Sequence, residues 1–222
     1  MKKKKIIIAA VVLLLLFLIG GAIAYFTDTD AKTNTFTIGN VDIEVQEAAW
    51  DALADVNNND IPDDAEDMMP GESVSKDPLI HNKSTSSEAY VFMKVVSPCT
   101  TGTTPVELFD YTTTPGVNSG WELMSAYTNA TCSQGSITRV YSYSTNGTMT
   151  ALDPETSAST DDTATLFDTL TLNTAVTGDI PSSTNIAITG YAIQVDGLLD
   201  SNDQPITSPS GVWTAANGFA NN

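Results

Sequence analysis

Side chains that carry oxygen recur at regular spacing in residues 55–66 of this chain. Positions 1, 3, 5, 9 and 12 of that segment are Asp55, Asn57, Asn59, Asp63 and Glu66, and position 7, where a backbone carbonyl would ligate, is Ile61. Calcium takes six to eight hard oxygen ligands, and a 12-residue loop with this spacing wraps them around one point. The spacing predicts a calcium site made by these six residues. The alternative is an acidic surface loop that binds cations only diffusely.

Two features of the segment depart from the usual calcium loop. Asn57 and Asn59 replace aspartates, and Asp60 stands where a glycine usually makes the turn. Because Asp enters the left-handed backbone region more readily than most residues, the turn can still form there. The central Ile-Pro-Asp, residues 61–63, is similar to the extracellular calcium repeats of the thrombospondin type 3 kind.

The remaining titratable residues show no catalytic pattern. His81 is the one histidine of the chain, so an HExxH zinc site, which needs two histidines, is excluded. We interpret His81, at the end of a predicted strand, as an ordinary surface residue. No GxSxG motif, P-loop or dinucleotide-binding motif occurs. We therefore predict that the protein is not an enzyme.

Cys99 and Cys132 are the two cysteines. In an exported chain an even pair predicts a disulfide. A bridge that closes a loop of this size stabilises the fold by about 3–4 kcal/mol in the chain-entropy model. Two free thiols are the alternative, since the sequence does not measure the distance between them.

The first 24 residues have the layout of a secretory signal peptide. Lys2–Lys5 form a positive end, Ile6–Ile19 have no polar side chain, and Ala22-Ile23-Ala24 has the small-x-small pattern of a cleavage site. A transmembrane anchor is the alternative, because about 20 apolar residues suffice to span a bilayer. A double glycine at residues 20–21 interrupts the apolar run and favours cleavage between Ala24 and Tyr25. The predicted product is secreted, with a membrane link only through the uncleaved leader.

The charge of the mature chain is strongly acidic. Cleavage after Ala24 removes four of the nine basic residues and none of the 27 acidic ones, which leaves a formal net charge of −22. Such a chain repels nucleic acid and anionic lipid, so neither is a predicted partner. The charge suits a soluble secreted protein that recruits divalent cations, although it is equally explained by solubility alone.

Short apolar runs that alternate with polar residues predict an all-β domain with many turns. The stretch 89–96 is apolar on both faces and is predicted to be a central strand, and 137–143 is a strand followed by the hairpin signal Asn146-Gly147. Apolar residues occupy every second position in two stretches, and this alternation shifts by one residue at 39–40 and at 189–190. Each shift predicts a bulge or turn. One more strand is predicted within 164–172, with long loops at 99–120 and 153–163. Short helices are predicted at 47–53 and at 209–216, the second capped by Ser208.

Residues 20–28 (GGAIAYFTD) and 33–43 (TNTFTIGNVDI) resemble the start of the camelysin/TasA family. Residues 69–78 (MPGESVSKDP) resemble the family's Pro-Gly-(Asp/Glu)…Lys-Asp segment, and residues 190–194 (GYAIQ) give a further similarity. The resemblance is firm over residues 1–97 and looser beyond. The members of the camelysin/TasA family are secreted proteins, mostly of Gram-positive bacteria, that are exported with a SipW-type signal peptide and built into biofilm-matrix fibres. Camelysin itself has been classed as a metallopeptidase, but nothing in this sequence supplies the ligands for that activity.

The spacing of the strands suggests a two-sheet sandwich, and the resemblance implies a jelly roll. We predict an all-β, jelly-roll-like, two-sheet antiparallel β-sandwich with short peripheral helices, preceded by a hydrophobic signal-peptide helix. The predicted boundaries are 1–24 for the signal peptide and 25–222 for the sandwich domain.

The predicted function is that of a secreted structural protein of the extracellular biofilm matrix. Cleavage frees residues 25–38 as a donor strand that adds to the edge of another copy, with Tyr25, Phe26, Phe36 and Ile38 as its anchors. The predicted partners are other copies of the chain, in filaments, and other matrix proteins. The alternatives are pairing of residues 25–38 within their own domain, a monomeric calcium-binding cell-surface or adhesion module, and a secreted hydrolase such as a metallopeptidase.

Overall fold

The computed structural model describes residues 40–113, 116–156, 160–176 and 185–216. All of them belong to Gly39–Asn222, the second of the two units into which the chain divides. The signal peptide, its cleavage site at Ala24–Tyr25 and the donor strand of residues 25–38 lie outside the described residues and stay predictions. Among the described residues, no helix is long and apolar enough to cross a membrane.

The described residues form antiparallel strands with two short helices, which confirms the predicted all-β sandwich. The strands are β1 (Ile43–Gln46), β2 (Ser73–Ser75), β3 (Leu79–Asn82), β4 (Ala89–Pro98), β5 (Phe109–Asp110), β6 (Trp121–Leu123), β7 (Ser136–Thr145), β8 (Thr148–Met149), β9 (Ala151–Leu152), β10 (Thr169–Leu172) and β11 (Ala187–Gln194). The helices are α1 (Ala48–Asp51) and α2 (Pro209–Ala215).

The larger layer of the sandwich is a six-stranded sheet. Its main order is β11-β4-β7-β6, with β8 paired to β7 and β9 paired to β4. β4 lies at its centre with neighbours on both sides, and Val91, Phe92, Met93 and Val95 on its two faces have no solvent exposure. The predicted central strand is therefore confirmed.

The second layer is built from the pair β1-β3 and the three-stranded sheet β2-β10-β5. Residues 161–168, which precede β10, run beside the 76–82 segment. Backbone N–H groups of Lys76, Asn82, Thr163 and Leu166 bond to the carbonyls of Asp168, Asp161, Ile80 and Pro78 across this boundary. Residues 73–82 and 161–172 thus hold the two small sheets together as one layer. The main core lies between this layer and the inner face of the six-stranded sheet, where Val74, Ile80, Leu166 and Leu170 meet the β4 side chains.

A second core covers the outer face of the six-stranded sheet. Phe92 and Val140 on that face pack with Val212 of α2, and all three are fully buried. The ring of Trp213 meets Phe92 edge-on at 5.0 Å between centroids. Ser208 Oγ accepts the Gly211 N–H at 3.3 Å, so the predicted cap of this helix is confirmed.

The bulge predicted at residues 189–190 is wrong. β11 pairs with β4 without interruption, Thr189 opposite Lys94 and Gly190 opposite Met93. The alternation of apolar residues shifts by one position because both faces of β11 are covered. Ile188 packs on the main core, and Tyr191 packs on the second core. A glycine is needed at 190 because a Cβ atom there would lie 2.9 Å from Val45 Cγ2 on β1.

Other elements agree with prediction in kind and differ in length. The β7–β8 hairpin turns at Asn146 and Gly147, with φ of 51° and 73°, as expected of an Asn-Gly turn. The predicted strand within 164–172 is shorter, because regular pairing begins at Thr169. The predicted helix at 47–53 is a single turn, α1. The shift predicted at 39–40 begins outside the described residues.

Cys99 and Cys132 are joined by a disulfide, as predicted, with their Cα atoms 6.0 Å apart. The bridge closes the loop that leaves β4 and returns to β7. The same loop is held from inside by Arg139 of β7, whose two terminal nitrogens donate to the two carboxylate oxygens of Glu107 at 2.7 and 2.8 Å. A covalent bond and a two-pronged ion pair therefore fix the segment between β4 and β7 to the sheet.

Candidate functional site

The predicted calcium loop is closed by bonds from its backbone to its own side chains. Asp55 accepts the N–H groups of Asn59 at 3.2 Å and Asp60 at 3.0 Å, one on each carboxylate oxygen. Asn57 Oδ1 accepts the Asn59 N–H at 3.2 Å, and Asn59 Oδ1 accepts the Ile61 N–H at 2.9 Å. The chain therefore turns around the side chains at the first, third and fifth positions.

The C-terminal end of the loop returns to the side chains near its start. Asn57 Nδ2 donates to both carboxylate oxygens of Glu66, at 3.1 and 3.0 Å, and Asn59 Nδ2 donates to one of them. Asp63 Oδ1 accepts the Val56 N–H at 3.2 Å. Asp60 has a φ of 66°, so it takes the left-handed conformation that a glycine usually supplies.

The donor set of the loop fits calcium, because carboxylate and amide oxygens are the ligands that this ion prefers. In the structure the amide nitrogens of Asn57 and Asn59 stand beside the Glu66 carboxylate, where they offset part of its charge. The predicted ligands Asp55, Asn57, Asn59, Asp63 and Glu66 are thus brought together by hydrogen bonds, and Ile61 lies in the same turn. Calcium binding itself stays a prediction.

A second group of ligand-bearing side chains converges on His81, which is less exposed than its interpretation as an ordinary surface residue implies. Its side chain is only 14% exposed, and Nδ1 lies 2.8 Å from Oδ1 of Asp162. Nε2 lies 3.7 Å from Oε2 of Glu155, and Nδ1 lies 3.9 Å from Oδ2 of Asp161. One ligand atom from each of His81, Glu155 and Asp161 lies within 4.8 Å of the others.

The backbone of β3 positions these acidic residues. Asn82 donates its N–H to the Asp161 carbonyl at 2.8 Å and accepts the Glu155 N–H at 2.9 Å. Its neighbours Ile80 and Asn82 are fully buried, so His81 faces the other side of the layer. Burial alone lowers the pKa of His81, but the hydrogen bond to Asp162 and the charges of Asp162, Glu155 and Asp161 outweigh it and raise that pKa.

The sequence gives no local signal for this group, because its carboxylates follow the histidine by more than 70 residues along the chain. They come together only when residues 161–163 pair beside β3. What could have been noticed is the concentration of acidic residues in the 153–162 loop of a chain with a single histidine.

The Lys-Asp pair at residues 76–77 holds the chain that follows β1. Lys76 Nζ lies 2.7 Å from Glu47 Oε2 and 4.2 Å from the centre of the Trp50 ring. The Asp77 carboxylate accepts the N–H groups of Ala49 and Trp50 at 2.9 to 3.3 Å. These two side chains therefore fix α1 to the segment that joins β2 and β3.

Residues 1–98 of the chain match a protein-family model described as camelysin metallo-endopeptidase. The matched segment includes β1, the 55–66 loop, the Lys76–Asp77 pair and His81, and it ends where β4 ends. Glu155 and Asp161 lie outside it. No curated protein and no solved structure matches the chain.

Proposed function

We propose, because its first 98 residues match the camelysin family model, that the chain is a camelysin/TasA-like structural protein of the extracellular matrix. In this proposal residues 25–38 act as a donor strand, and copies of the chain join into fibres through it. The disulfide between Cys99 and Cys132 supports an extracellular site, since such bonds persist in oxidising compartments.

The observation that carries the proposal is a pair of open strand edges. In the described part of the chain, β1 pairs with β3 alone and β11 pairs with β4 alone. The two edges are neighbours, because the side chain of Val45 on β1 reaches the backbone of Gly190 on β11. Unpaired N–H and C=O groups along such edges are templates for another strand.

The direction of the free groups on β11 follows from its ladder. The Val195 N–H bonds to the Glu88 carbonyl at 3.0 Å. Hydrogen-bonded pairs alternate along an antiparallel ladder, so Gly190 and Ala192 turn their N–H groups away from β4. A donor strand of another copy gains main-chain hydrogen bonds there, while its aromatic residues Tyr25 and Phe26 enter apolar surface.

Deletion of Tyr25–Asn34 tests the donor role. The truncated protein should remain a folded, soluble monomer that forms no fibres in negative-stain images, because the donor is gone and the sandwich is intact. Fibres of normal appearance from the truncated protein would refute the mechanism.

An acceptor variant with a matched control tests the edge. Thr189→Lys places a charge at an exposed position of β11, and such charges oppose the addition of a strand. We expect it to suppress fibres without changing the melting temperature of the monomer. Thr148→Lys makes the same change at an exposed position of β8, which pairs with β7 and is not part of the proposed acceptor edge, and should leave fibres intact. Equal behaviour of the two variants contradicts the assignment of this edge.

A peptidase is the competing proposal that the name of the matched family model raises. The chain has one histidine, and the two-histidine zinc motif of many metallopeptidases cannot form from it. We therefore propose a structural role rather than an enzymatic one. Incubation of the metal-loaded protein with unfolded casein tests the choice, and cleavage that a chelator abolishes would overturn it.

The second candidate function is a monomeric calcium-binding surface or adhesion module. The folded geometry of the 55–66 loop favours it, since the predicted ligands already face one another. Sedimentation of the mature protein with and without calcium separates the two functions. A single monomeric species at every concentration favours the module, and calcium-dependent or calcium-independent filaments favour the matrix protein.

A further inference from the structure

We propose that His81, Glu155 and Asp161 form a binding site for one divalent transition-metal cation, such as Zn²⁺ or Co²⁺. Asp162 acts as the positioning residue for the imidazole. The site is separate from the 55–66 loop, uses a nitrogen ligand, and does not depend on fibre assembly.

The distances fit a small ion. Zinc lies about 2.0–2.2 Å from nitrogen and carboxylate ligands, so neighbouring ligand atoms of a tetrahedral site are roughly 3.4 Å apart. His81 Nε2 and Glu155 Oε2 are 3.7 Å apart, Asp161 Oδ2 lies 3.9 Å from Nδ1 of the same ring, and one ligand atom from each of the three residues lies within 4.8 Å of the others. Closing the group around an ion at Nε2 requires the half-exposed Glu155 side chain and the Asp161 side chain to rotate toward that nitrogen.

The hydrogen bond at Nδ1 prepares the imidazole as a ligand. Asp162 Oδ1 lies 2.8 Å from Nδ1, and in the neutral tautomer that donates the Nδ1 proton to this carboxylate the lone pair is on Nε2. Histidines that bind metals almost always donate their other N–H group in this way. Within the described residues Nε2 makes no hydrogen bond, although a carboxylate oxygen stands 3.7 Å from it. Two groups that both offer lone pairs attract a cation to the space between them.

The surroundings distinguish this group from a patch of solvated acids. The imidazole is largely buried, and Asp161 exposes only 20% of its side chain. Three carboxylates, those of Asp162, Glu155 and Asp161, stand 2.8 to 3.9 Å from the imidazole nitrogens, so their combined negative charge attracts a cation. Imidazole nitrogen selects zinc, cobalt and copper over calcium, which takes oxygen ligands.

The consequence for the fold is a link between distant parts of the chain. An ion held by His81 on β3 and by Glu155 and Asp161 would fix both ends of the 155–161 loop to the second layer. Three protein ligands leave one position of a tetrahedral ion open to water or to a group from another molecule.

Titration with Co²⁺ tests the proposal, because its visible absorption reports nitrogen coordination while calcium gives no signal. The chelator-treated, full-length mature protein is titrated at one neutral pH in the presence of excess Ca²⁺, which keeps the 55–66 loop out of the measurement. We expect one equivalent of Co²⁺ to bind, and one equivalent of Zn²⁺ to displace it.

Variants identify the ligands. His81→Gln, Glu155→Gln and Asp161→Asn should each weaken Co²⁺ binding more than tenfold, and Asp162→Asn should weaken it about 10- to 100-fold through the imidazole. Glu44→Gln is the matched control, since Glu44 is exposed and pairs opposite His81 on β1 without an ion pair to it. It should bind Co²⁺ within about twofold of the parent protein.

Two results would overturn the proposal. One is a parent protein that binds no Co²⁺ in calorimetry and absorption. The other is a His81→Gln variant that binds Co²⁺ as the parent does while its circular dichroism shows the same fold. A variant that fails to fold is replaced by His81→Asn, for which the same weakening is expected.

Discussion

The ammonium group of Lys76 and the carboxylate of Glu47 form a 2.7 Å ion pair that is nearly closed to solvent, with side-chain exposures of 8% and 20%. The second oxygen of Glu47 is buried without a hydrogen bond among the described residues. The ring of Trp50 lies against the ammonium group, with its centroid 4.2 Å from Nζ. The pair therefore links the segment after β1 to β2 in a setting where neither charge reaches water freely.

Lys76→Met should lower the free energy of unfolding by about 3–5 kcal/mol, because it leaves the Glu47 charge buried without a partner. Urea denaturation followed by Trp fluorescence measures this. Lys83→Met is the matched control, since its pair with Asp42 is 3.6 Å long and about 40% exposed on each side. That substitution should cost less than about 1 kcal/mol, and equal losses in both variants would contradict our assignment.

Calcium should bind the 55–66 loop with a dissociation constant of about 10⁻⁴ to 10⁻³ M, as in extracellular modules. Calorimetry should give heat of binding for the parent protein and none for the double variant Asp55→Ala with Glu66→Ala. Asp200→Ala is a suitable control, because Asp200 also closes an exposed turn, by accepting the N–H groups of Asn202 and Gln204. If the double variant titrates like the parent, the loop is not the site.

Removal of the disulfide should cost about 3–4 kcal/mol, as expected for the loop of this size that it closes. The double variant Cys99→Ser with Cys132→Ser and the dithiothreitol-reduced parent protein should unfold at the same urea concentration. Labelling of native protein with a thiol reagent should find no free thiol. Stoichiometric labelling of both cysteines would show that the bridge does not form.

Glu122 should make the β7–β8 hairpin sensitive to acid. Its carboxylate accepts the Ser144 hydroxyl at 2.6 Å and the Gly147 N–H at 3.0 Å. The Ser144 bond, with those from the turn backbone, holds the pKa of Glu122 below its usual value although partial burial opposes this. The stabilisation is therefore present above the unfolded-state pKa, near 4.3, and is lost as the pH falls through the lower folded-state pKa.

Hydrogen exchange of the Gly147 amide measures this effect. The parent protein should lose protection of that amide below about pH 4, whereas Glu122→Gln should show weaker protection that does not change over the same range. Glu44→Gln should behave as the parent. A parent profile that is flat from neutral pH to pH 3 would be inconsistent with the role of Glu122.

Gly190→Ala should lower stability by about 1–3 kcal/mol, the usual cost of overpacking a core. The added methyl would lie 2.9 Å from Val45 Cγ2 and 3.3 Å from Ile43 Cδ1. In a Val45→Ala background the same substitution should cost less, since the obstructing methyl is gone. A double-mutant cycle with no coupling would mean that β1 does not press on β11 as the structure has it.

Patterns local in sequence were sufficient to predict the central strand β4, the Asn146–Gly147 hairpin and the capped helix α2. They depend on neighbours a few residues apart, and the structure keeps them. The predicted bulge in β11 failed for a different reason. A shift in the alternation of apolar residues arises either from a bulge in a strand with one buried face or from a regular strand with both faces buried. In β11 the second case holds, because α2 covers the outer face of the sheet.

Sites whose residues come from distant segments of the chain could not be predicted from the sequence. The 55–66 loop carries its donors within twelve residues, so its spacing was visible and its closure follows the pattern. His81 meets Glu155 and Asp161 only through the pairing of residues 161–163 beside β3. The spacing of these three residues in the sequence does not indicate that contact. The disulfide was accessible because two cysteines allow a single intramolecular pairing.

The cross-link between Cys99 and Cys132 also determines how the protein would respond to a mechanical load. The bridge spans 33 residues whose Cα ends are 6.0 Å apart. A fully extended chain gains about 3.3–3.6 Å per residue, so roughly 110 Å of chain between these cysteines cannot be drawn out by tension while the bridge is intact. Force applied along the backbone passes from the end of β4 through the sulfur atoms to the start of β7. The segment between the two cysteines is therefore shielded from stretching, and β4 and β7 at the centre of the large sheet bear the load.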